Sequence, residues 1–258
     1  MYYPLQSKQN PVNFTSMYMQ FLRSLLFVGF CLSAINGSAQ SHPANDSVYT
    51  YKKASADGTG KFYKGREIAQ VMGFEGAAWL ERNTRDKEEN TKLAISKLPI
   101  TASSVVADIG AGTGYYTFPI AAKVPQGKVY AVEIQQSAID YLGKRSKELK
   151  LNNVIVVKGA EKSPNLPDNT IDLAIMVDVY HELSYPHEML QAIKRSLKPG
   201  GKILLLEYRA EDPAIDIKPL HKTSIPQLNK EFKANGFHLV TDGEFLPIQH
   251  FLIYQKDK

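Results

Sequence analysis

Thiol chemistry is nearly absent from this chain: Cys31 is its one cysteine, and it lies inside an apolar run, Ser24 to Ile35. Phe30 precedes it and is too bulky for the small residue that usually comes before a lipidated cysteine. Cleavage after Ala39 would leave a mature chain with no cysteine, which excludes disulfides, thiolate nucleophiles and thiolate metal sites together. Long apolar runs are lacking too. Twelve helical residues rise only about 18 Å against a hydrocarbon core of roughly 30 Å, so no stable membrane span is expected. The net charge is +5 over 258 residues, with 43% hydrophobic residues. Acids and bases are interspersed, without a basic stripe or interleaved aromatics, so no nucleic-acid surface is expected. No internal repeat or low-complexity block is present. What remains is enough for one α/β domain plus an N-terminal extension.

Residues 1–39 contain Lys8 and Arg23 but no acid. Arg23, the apolar run and the small residues of Asn36-Gly37-Ser38-Ala39 before Gln40 have the order of a secretory signal peptide. The polar residues 1–16 fall outside that order, as an upstream extension would if translation starts at Met17 or Met19. This pattern predicts an exported protein, periplasmic or secreted. A buried N-terminal helix over residues 17–39 is the alternative and would leave the protein cytoplasmic.

Residues 40–64 are polar and rich in Ser, Asn, Asp and Gly, which predicts a flexible arm. Ile68, Val71 and Met72, then Leu93, Ile95 and Leu98, predict a helical cap over residues 65–99, stopped by Pro99. Beyond it, β-branched strands alternate with helices. The expected strands are Ser104–Ile109, Lys128–Glu133, Val154–Lys158, Ile171–Val177, Lys202–Tyr208, Phe237–Thr241 and Gln249–Gln255. The expected helices are Tyr115–Lys123, Ser137–Leu149, Pro186–Leu197 and Ser224–Asn235. Such alternation predicts a doubly wound, mostly parallel seven-stranded sheet over residues 100–258. No helix separates the last two strands, so they should pair antiparallel at one edge.

A strand, Val105 to Ile109, runs directly into Gly110-Ala111-Gly112-Thr113-Gly114 and then a helix. Glycines there let a ligand approach the backbone and the helix N-terminus. The dinucleotide fingerprint needs its third glycine at 115, where Tyr115 stands, so the spacing argues against a nicotinamide cofactor. Glu133 ends the next strand, 23 residues after Gly110. A carboxylate at that place can accept from both hydroxyls of a ribose cis-diol.

Together with Gly159-Ala160-Glu161, Leu166-Pro167-Asp168-Asn169-Thr170-Ile171-Asp172 and Leu197-Lys198-Pro199-Gly200-Gly201-Lys202, these blocks resemble the class I S-adenosylmethionine-dependent methyltransferases with a methyltransferase-11-type domain. The resemblance covers about residues 100–210. It implies that Gly110, Gly112 and Gly114 pass beneath the methionyl group and ribose, that Asp108 orients the amino group, and that Glu133 holds the diol. Ala160 and Glu161 would lie near adenine. Many relatives carry Asp or Asn at the position of Gly159, so that adenine contact is missing here.

Asp178, at the end of the fourth strand, is a partner for the cationic methionyl amine, and Tyr180 and His181 follow it toward the transferred methyl. Glu207 and Arg209 after the fifth strand, with His221, are the candidates for contact with a small-molecule acceptor. Either His181 or Glu207 would serve as base for a hydroxyl acceptor. Trp79 packs in the core or, with Arg82, encloses the substrate mouth. No metal is assigned, because no histidine–carboxylate spacing is diagnostic. The sequence therefore predicts a methyltransferase using S-adenosylmethionine on an unidentified acceptor. Two alternatives are an exported ligand-binding protein that keeps the fold without transfer, and a nicotinamide-dependent oxidoreductase.

Overall fold

A computed structural model describes residues 48–257; the signal-peptide reading falls outside the described residues. Eleven strands and seven helices are assigned: β1 (Tyr49–Tyr51), β2 (Gly58–Tyr63), β3 (Arg66–Ala69), α1 (Ala77–Leu80), α2 (Arg85–Glu89), α3 (Thr91–Ser96), β4 (Val105–Ile109), α4 (Thr117–Lys123), β5 (Lys128–Glu133), α5 (Gln136–Glu148), β6 (Val154–Lys158), β7 (Ile171–Val177), α6 (Pro186–Ser196), β8 (Leu197–Arg209), β9 (Lys222–Thr223), α7 (Ile225–Lys233), β10 (Phe237–Gly243) and β11 (Gln249–Lys256).

Seven strands form the main sheet in the order β10-β11-β8-β7-β4-β5-β6, and the short β9 pairs with β8. Pairing is parallel from β8 to β6, while β11 joins β8 and β10 joins β11 antiparallel. Alternate residues serve opposite faces of the sheet. On β8, Ile203 and Leu205 enter the core beneath α6 and α7, whereas Leu204 and Leu206 enter the core with Ile95 of α3 and Ile120 of α4. All four are fully buried, each contributing about 1.5–3 kcal/mol of transfer free energy. Burial on both faces is why these strands read as continuous apolar runs. β8 starts earlier than expected, at Leu197, because Gly200 at φ +77° lets the turn fold into the strand as a bulge between Ile171 and Leu173 of β7.

The N-terminal expectation is corrected. A three-stranded antiparallel sheet, β1-β2-β3, occupies much of the region predicted as flexible arm and the start of the helical cap. Tyr63 pairs with Arg66 across Lys64 and Gly65, both at positive φ (50° and 99°), which makes a tight two-residue turn. Ile68 and Tyr63 are fully buried as strand residues rather than on a helix face. The rest of the cap is helical but broken. Asn90, at φ +53°, ends α2, and its side chain caps α3 by accepting from Leu93 N. No helix among the described residues is long and apolar enough to cross a membrane.

Candidate active site

Parallel pairing brings the C-terminal ends of β4, β5, β6, β7 and β8 to one edge, and the chain order reverses between β5 and β7 on either side of β4. Ligands bind open α/β sheets at such a switch point. There the chain leaves β4 in a turn whose Gly110 N and Ala111 N donate to Val132 O at 2.9 and 3.0 Å. Gly110 and Gly112 adopt φ of +73° and +54°. A Cβ at Gly110 would stand 2.5 Å from Val179 Cγ2, and one at Gly112 3.0 Å from Leu80 Cδ1, so bare backbone forms the cleft floor. Gly114 faces elsewhere: a Cβ there would strike Phe118 and Leu142, so this glycine serves the packing of α4 and α5.

Glu133 ends β5 at the same edge. Its Oε2 accepts from Gly112 N at 3.1 Å, and its Oε1 from Ile134 N and Gln135 N at 2.6 and 3.1 Å. Three backbone donors hold the carboxylate along the cleft wall. Ala160 and Glu161 line the far end. The segment after β3 spans the opening: Met72 N donates to Glu182 Oε2 at 3.2 Å, Phe74 N to Gln135 Oε1 at 2.8 Å, and Gln135 Nε2 to Met72 O at 3.1 Å. The cleft encloses about 980 Å³ free of protein atoms. Asp108 is not on its wall. Its Oδ2 accepts from Thr117 Oγ1 at 2.5 Å beneath the loop. Burial, with the neighbouring Glu133, pushes its pKa up to about 6 against the opposing Thr117 bond.

A second cleft, of about 1080 Å³, shares Asp178, Glu182, Met72 and Leu80 with the first. Asp178 sits at φ +51° where the two meet. Its Oδ2 accepts from Gln249 Nε2 at 2.7 Å, and Arg85 Nη2 lies 3.9 Å away. Its Oδ1 is buried with no partner among the described residues. Burial near Glu89 and Glu207 holds its carboxyl well above the usual range. On the wall of the second cleft, His181 Nδ1 donates to Glu207 Oε2 at 2.6 Å, and His181 Nε2 lies 3.0 Å from His221 Nδ1. Burial alone would lower the His181 pKa, but Glu207 and Glu182 raise it to about 10. Glu182 is opposed by burial, yet bonds to His181 and His221 bring it down to about 2.

Of the acceptor candidates, the structure therefore gathers His181, Glu207 and His221, with Glu207 wholly buried behind His181. Tyr180 is not with them: its ring is in the core against Phe232, and its hydroxyl donates to Glu231 Oε2 at 2.8 Å. Arg209 also lies outside both clefts and reaches toward Glu244 at 3.8 Å. Trp79 is 46% exposed at the second cleft, stacked beside Arg82, which decides against core packing. Four groups escaped the sequence reading. Glu182 stands next to a named candidate, while Asp57 was assigned to the arm. Glu89, fully buried, accepts from Arg82, Arg85 and the Tyr208 hydroxyl, fixing the roof helices to the end of β8. Tyr208 was the strand's final residue and carried no spacing signal.

A doubly wound sheet with a glycine cradle, a strand-end carboxylate and a cleft at the switch point defines a nucleoside-binding α/β protein. Comparison with known proteins makes the class specific. Residues 107–205 match the family model described as a methyltransferase domain. The chain is 33% identical over 128 residues to a probable cobalt-precorrin-6B C(15)-methyltransferase (decarboxylating) from Sulfurisphaera tokodaii, covering 49% of this chain and 65% of that one. It is 27% identical over 194 residues to a fibrillarin-like rRNA/tRNA 2'-O-methyltransferase from Methanosarcina mazei, covering 73% and 82%. A crystal structure of a SAM-dependent methyltransferase from Aquifex aeolicus superposes with a TM-score of 0.68 at 24% identity, covering 72% of this chain and all of that one. These matches support the resemblance to the class I S-adenosylmethionine-dependent methyltransferases. The residues present fit that cofactor. The glycine floor has no room for side chains, and Glu133 lines the cleft where its carboxylate could accept from a diol. Asp178 Oδ1 is buried without a partner among the described residues, as a site for a cationic group would require.

Proposed function

We propose that the protein methylates a small, oxygen-bearing acceptor held in the second cleft. The observation that carries this reading is the meeting of the two clefts at Asp178 and Glu182, beside the His181–Glu207 pair. S-adenosylmethionine, when bound, supplies an electrophilic sulfonium methyl. Glu133 would hold its ribose diol, Gly110 and Gly112 would underlie it, and Asp178 would receive its ammonium group. Alignment of donor and acceptor and exclusion of water are then the main demands on the protein. Glu207 is occupied by His181 and Tyr180 N, so it is not free to act as base. His181, held by Glu207, stands on the cleft wall where it would orient an acceptor oxygen. Asp57, Asp178, Glu182 and Asp216 line the second cleft. Arg82, Arg85 and Lys218 line it as well, so the cleft lacks the cationic excess that draws a phosphate backbone, which favours a small molecule.

Calorimetric titration with S-adenosylmethionine tests the cofactor half. Removing one charged hydrogen-bond acceptor costs about 1.5–3 kcal/mol, so Glu133→Ala should weaken binding roughly ten- to a hundred-fold without unfolding the protein. Gly112→Val should weaken it as well, because its side chain would meet Leu80. Unchanged affinity in both variants overturns the reading. We also propose export, which rests on Arg23, the apolar run and the small residues before Gln40. N-terminal sequencing should find mature protein outside the cytoplasm beginning near Gln40. Cytoplasmic material with residues 17–39 intact overturns export.

A further inference from the structure

We propose that His181, Glu182 and His221 bind a divalent first-row transition-metal ion, Zn²⁺ being the type case, on the wall of the second cleft. The three side chains offer ligand atoms that all lie within 4.8 Å of one another. His181 Nε2 is 3.0 Å from His221 Nδ1, and Glu182 Oε1 is 3.3 Å from His221 Nδ1 and 3.7 Å from His181 Nε2. For metal–ligand bonds of about 2.0–2.1 Å, the edges of a tetrahedron are about 3.4 Å and those of an octahedron about 3.0 Å. The triangle is therefore already the size of one face of a coordination polyhedron. Two imidazoles with one carboxylate suit a first-row divalent ion better than Mg²⁺ or Ca²⁺, which favour oxygen ligands.

The outer nitrogens strengthen the case. His181 Nδ1 faces Glu207 Oε2 at 2.6 Å, and His221 Nε2 stands 2.8 Å from Asp57 Oδ2. The first contact is the hydrogen bond that metal-binding histidines usually make through the other ring N–H, which fixes the tautomer. The second lacks hydrogen-bond geometry and leaves both atoms without a partner among the described residues. With its N–H directed at Glu207, His181 presents the Nε2 lone pair inward, 3.0 Å from His221 Nδ1 and beside the Glu182 carboxylate. Either a His221 N–H or a metal ion can fill the space between the two rings, and three converging ligand atoms, with His181 backed by Glu207, suit the metal. His181 and Glu182 come from the turn after β7, His221 from the turn before β9 and Asp57 from the turn before β2. His221 and Glu182 retain 18% and 12% side-chain exposure and both line the cleft, so an ion can enter. The ion's use in orienting an acceptor oxygen rests on the proposed function; its binding does not.

The test takes the full, untagged chain, stripped with a chelator and titrated with Zn²⁺ by calorimetry, with Co²⁺ absorption as the spectroscopic probe. One equivalent should bind, and Co²⁺ should show the ligand-field bands of a nitrogen- and oxygen-coordinated ion. His221→Ala and Glu182→Gln should each weaken Zn²⁺ binding at least ten-fold. Glu207→Gln should weaken it roughly ten- to a hundred-fold through His181. His238→Ala, at an exposed histidine paired with Asp257, should change nothing. Glu182→Gln preserves shape and decides the matter if His221→Ala does not fold. Absence of Zn²⁺ heat, a Co²⁺ spectrum of the hydrated ion, or full binding in Glu182→Gln overturns the proposal and leaves a His221 N–H between the two rings in its place. A parallel titration of the metal-free protein with S-adenosylmethionine separates the failure of this inference from failure of the cofactor reading.

Discussion

Asp108 turns its carboxylate beneath the glycine loop, toward Thr117, instead of toward the cleft. Burial makes ionisation costly there, and the folded pKa of about 6 stands above the ordinary 3.8. Between those values the folded protein keeps a proton that the unfolded chain has lost. The stability this group contributes is therefore complete below about pH 4 and fades as pH rises through 6. A shift of about two units corresponds to roughly 3 kcal/mol at most. Asp108→Asn keeps an acceptor for Thr117 and removes the charge. It should be about 1–3 kcal/mol more stable than wild type at pH 7, with a flatter profile from pH 4 to 6, as urea unfolding would measure. A variant less stable at pH 7 would mean that Thr117 and Arg85 hold the ionised form. Within the second cleft, His181 touches the site and Arg209 does not. For any acceptor the wild type methylates, His181→Ala should lower kcat ten- to a hundred-fold at saturating cofactor, the value of a lost charged hydrogen bond. Arg209→Ala should stay within about two-fold. The reverse order in steady-state assays would relocate the acceptor to the end of β8.

At the scale of elements, the β2–β3 hairpin is tied to α7 by one buried ion pair. Arg66 Nε and Nη2 donate to the two Glu231 oxygens at 2.8 and 2.9 Å, and Arg66 Nη1 also donates to His181 O at 3.1 Å. Side-chain exposure is 8% and 0%. Removing one partner strands the other charge in a dry site, which typically costs about 3–5 kcal/mol. Arg66→Ala should therefore lower the unfolding free energy by about that amount in urea titration. A loss below about 1 kcal/mol would mean that water reaches Glu231. The same pair explains how the N-terminal strands reach the site: Arg66 braces the turn that carries His181 and Glu182, and Asp57 ahead of β2 approaches His221. The helix expected from Ile68, Val71 and Met72 had three apolar residues at the right spacing. It lost to Lys64 and Gly65, whose positive φ angles reverse the chain and make Ile68 a strand residue. Tertiary pairing outweighed a short periodicity.

For the whole molecule, the parallel sheet places the lining of the first cleft at the ends of β4, β5 and β6 and that of the second beyond β7 and along the end of β8. The N-terminal segment lines both, through Met72 in each and through Trp79 and Arg85 in the second. Asp178 stands on the boundary, facing both clefts. On the proposed function, mutation at Glu133 should affect cofactor binding and mutation at His181 acceptor turnover.

The sequence by itself determined the doubly wound sheet, its antiparallel edge, the glycine floor and the carboxylate at the end of β5, because each is a local pattern. Strand runs, glycines needing positive φ and a strand-end acid lie within a few residues of the chemistry they serve. Only the tertiary structure decided the rest. Side-chain direction at a strand end depends on what packs around it, so Tyr180 and Asp108 turn toward the core or loop while His181 turns toward the second cleft. The cluster of His181, Glu182, His221 and Asp57 spans 164 residues of chain and has no spacing motif. It exists because the turns before β2, after β7 and before β9 meet at one edge of the sheet, where folding brings together ligand atoms that the linear order keeps apart.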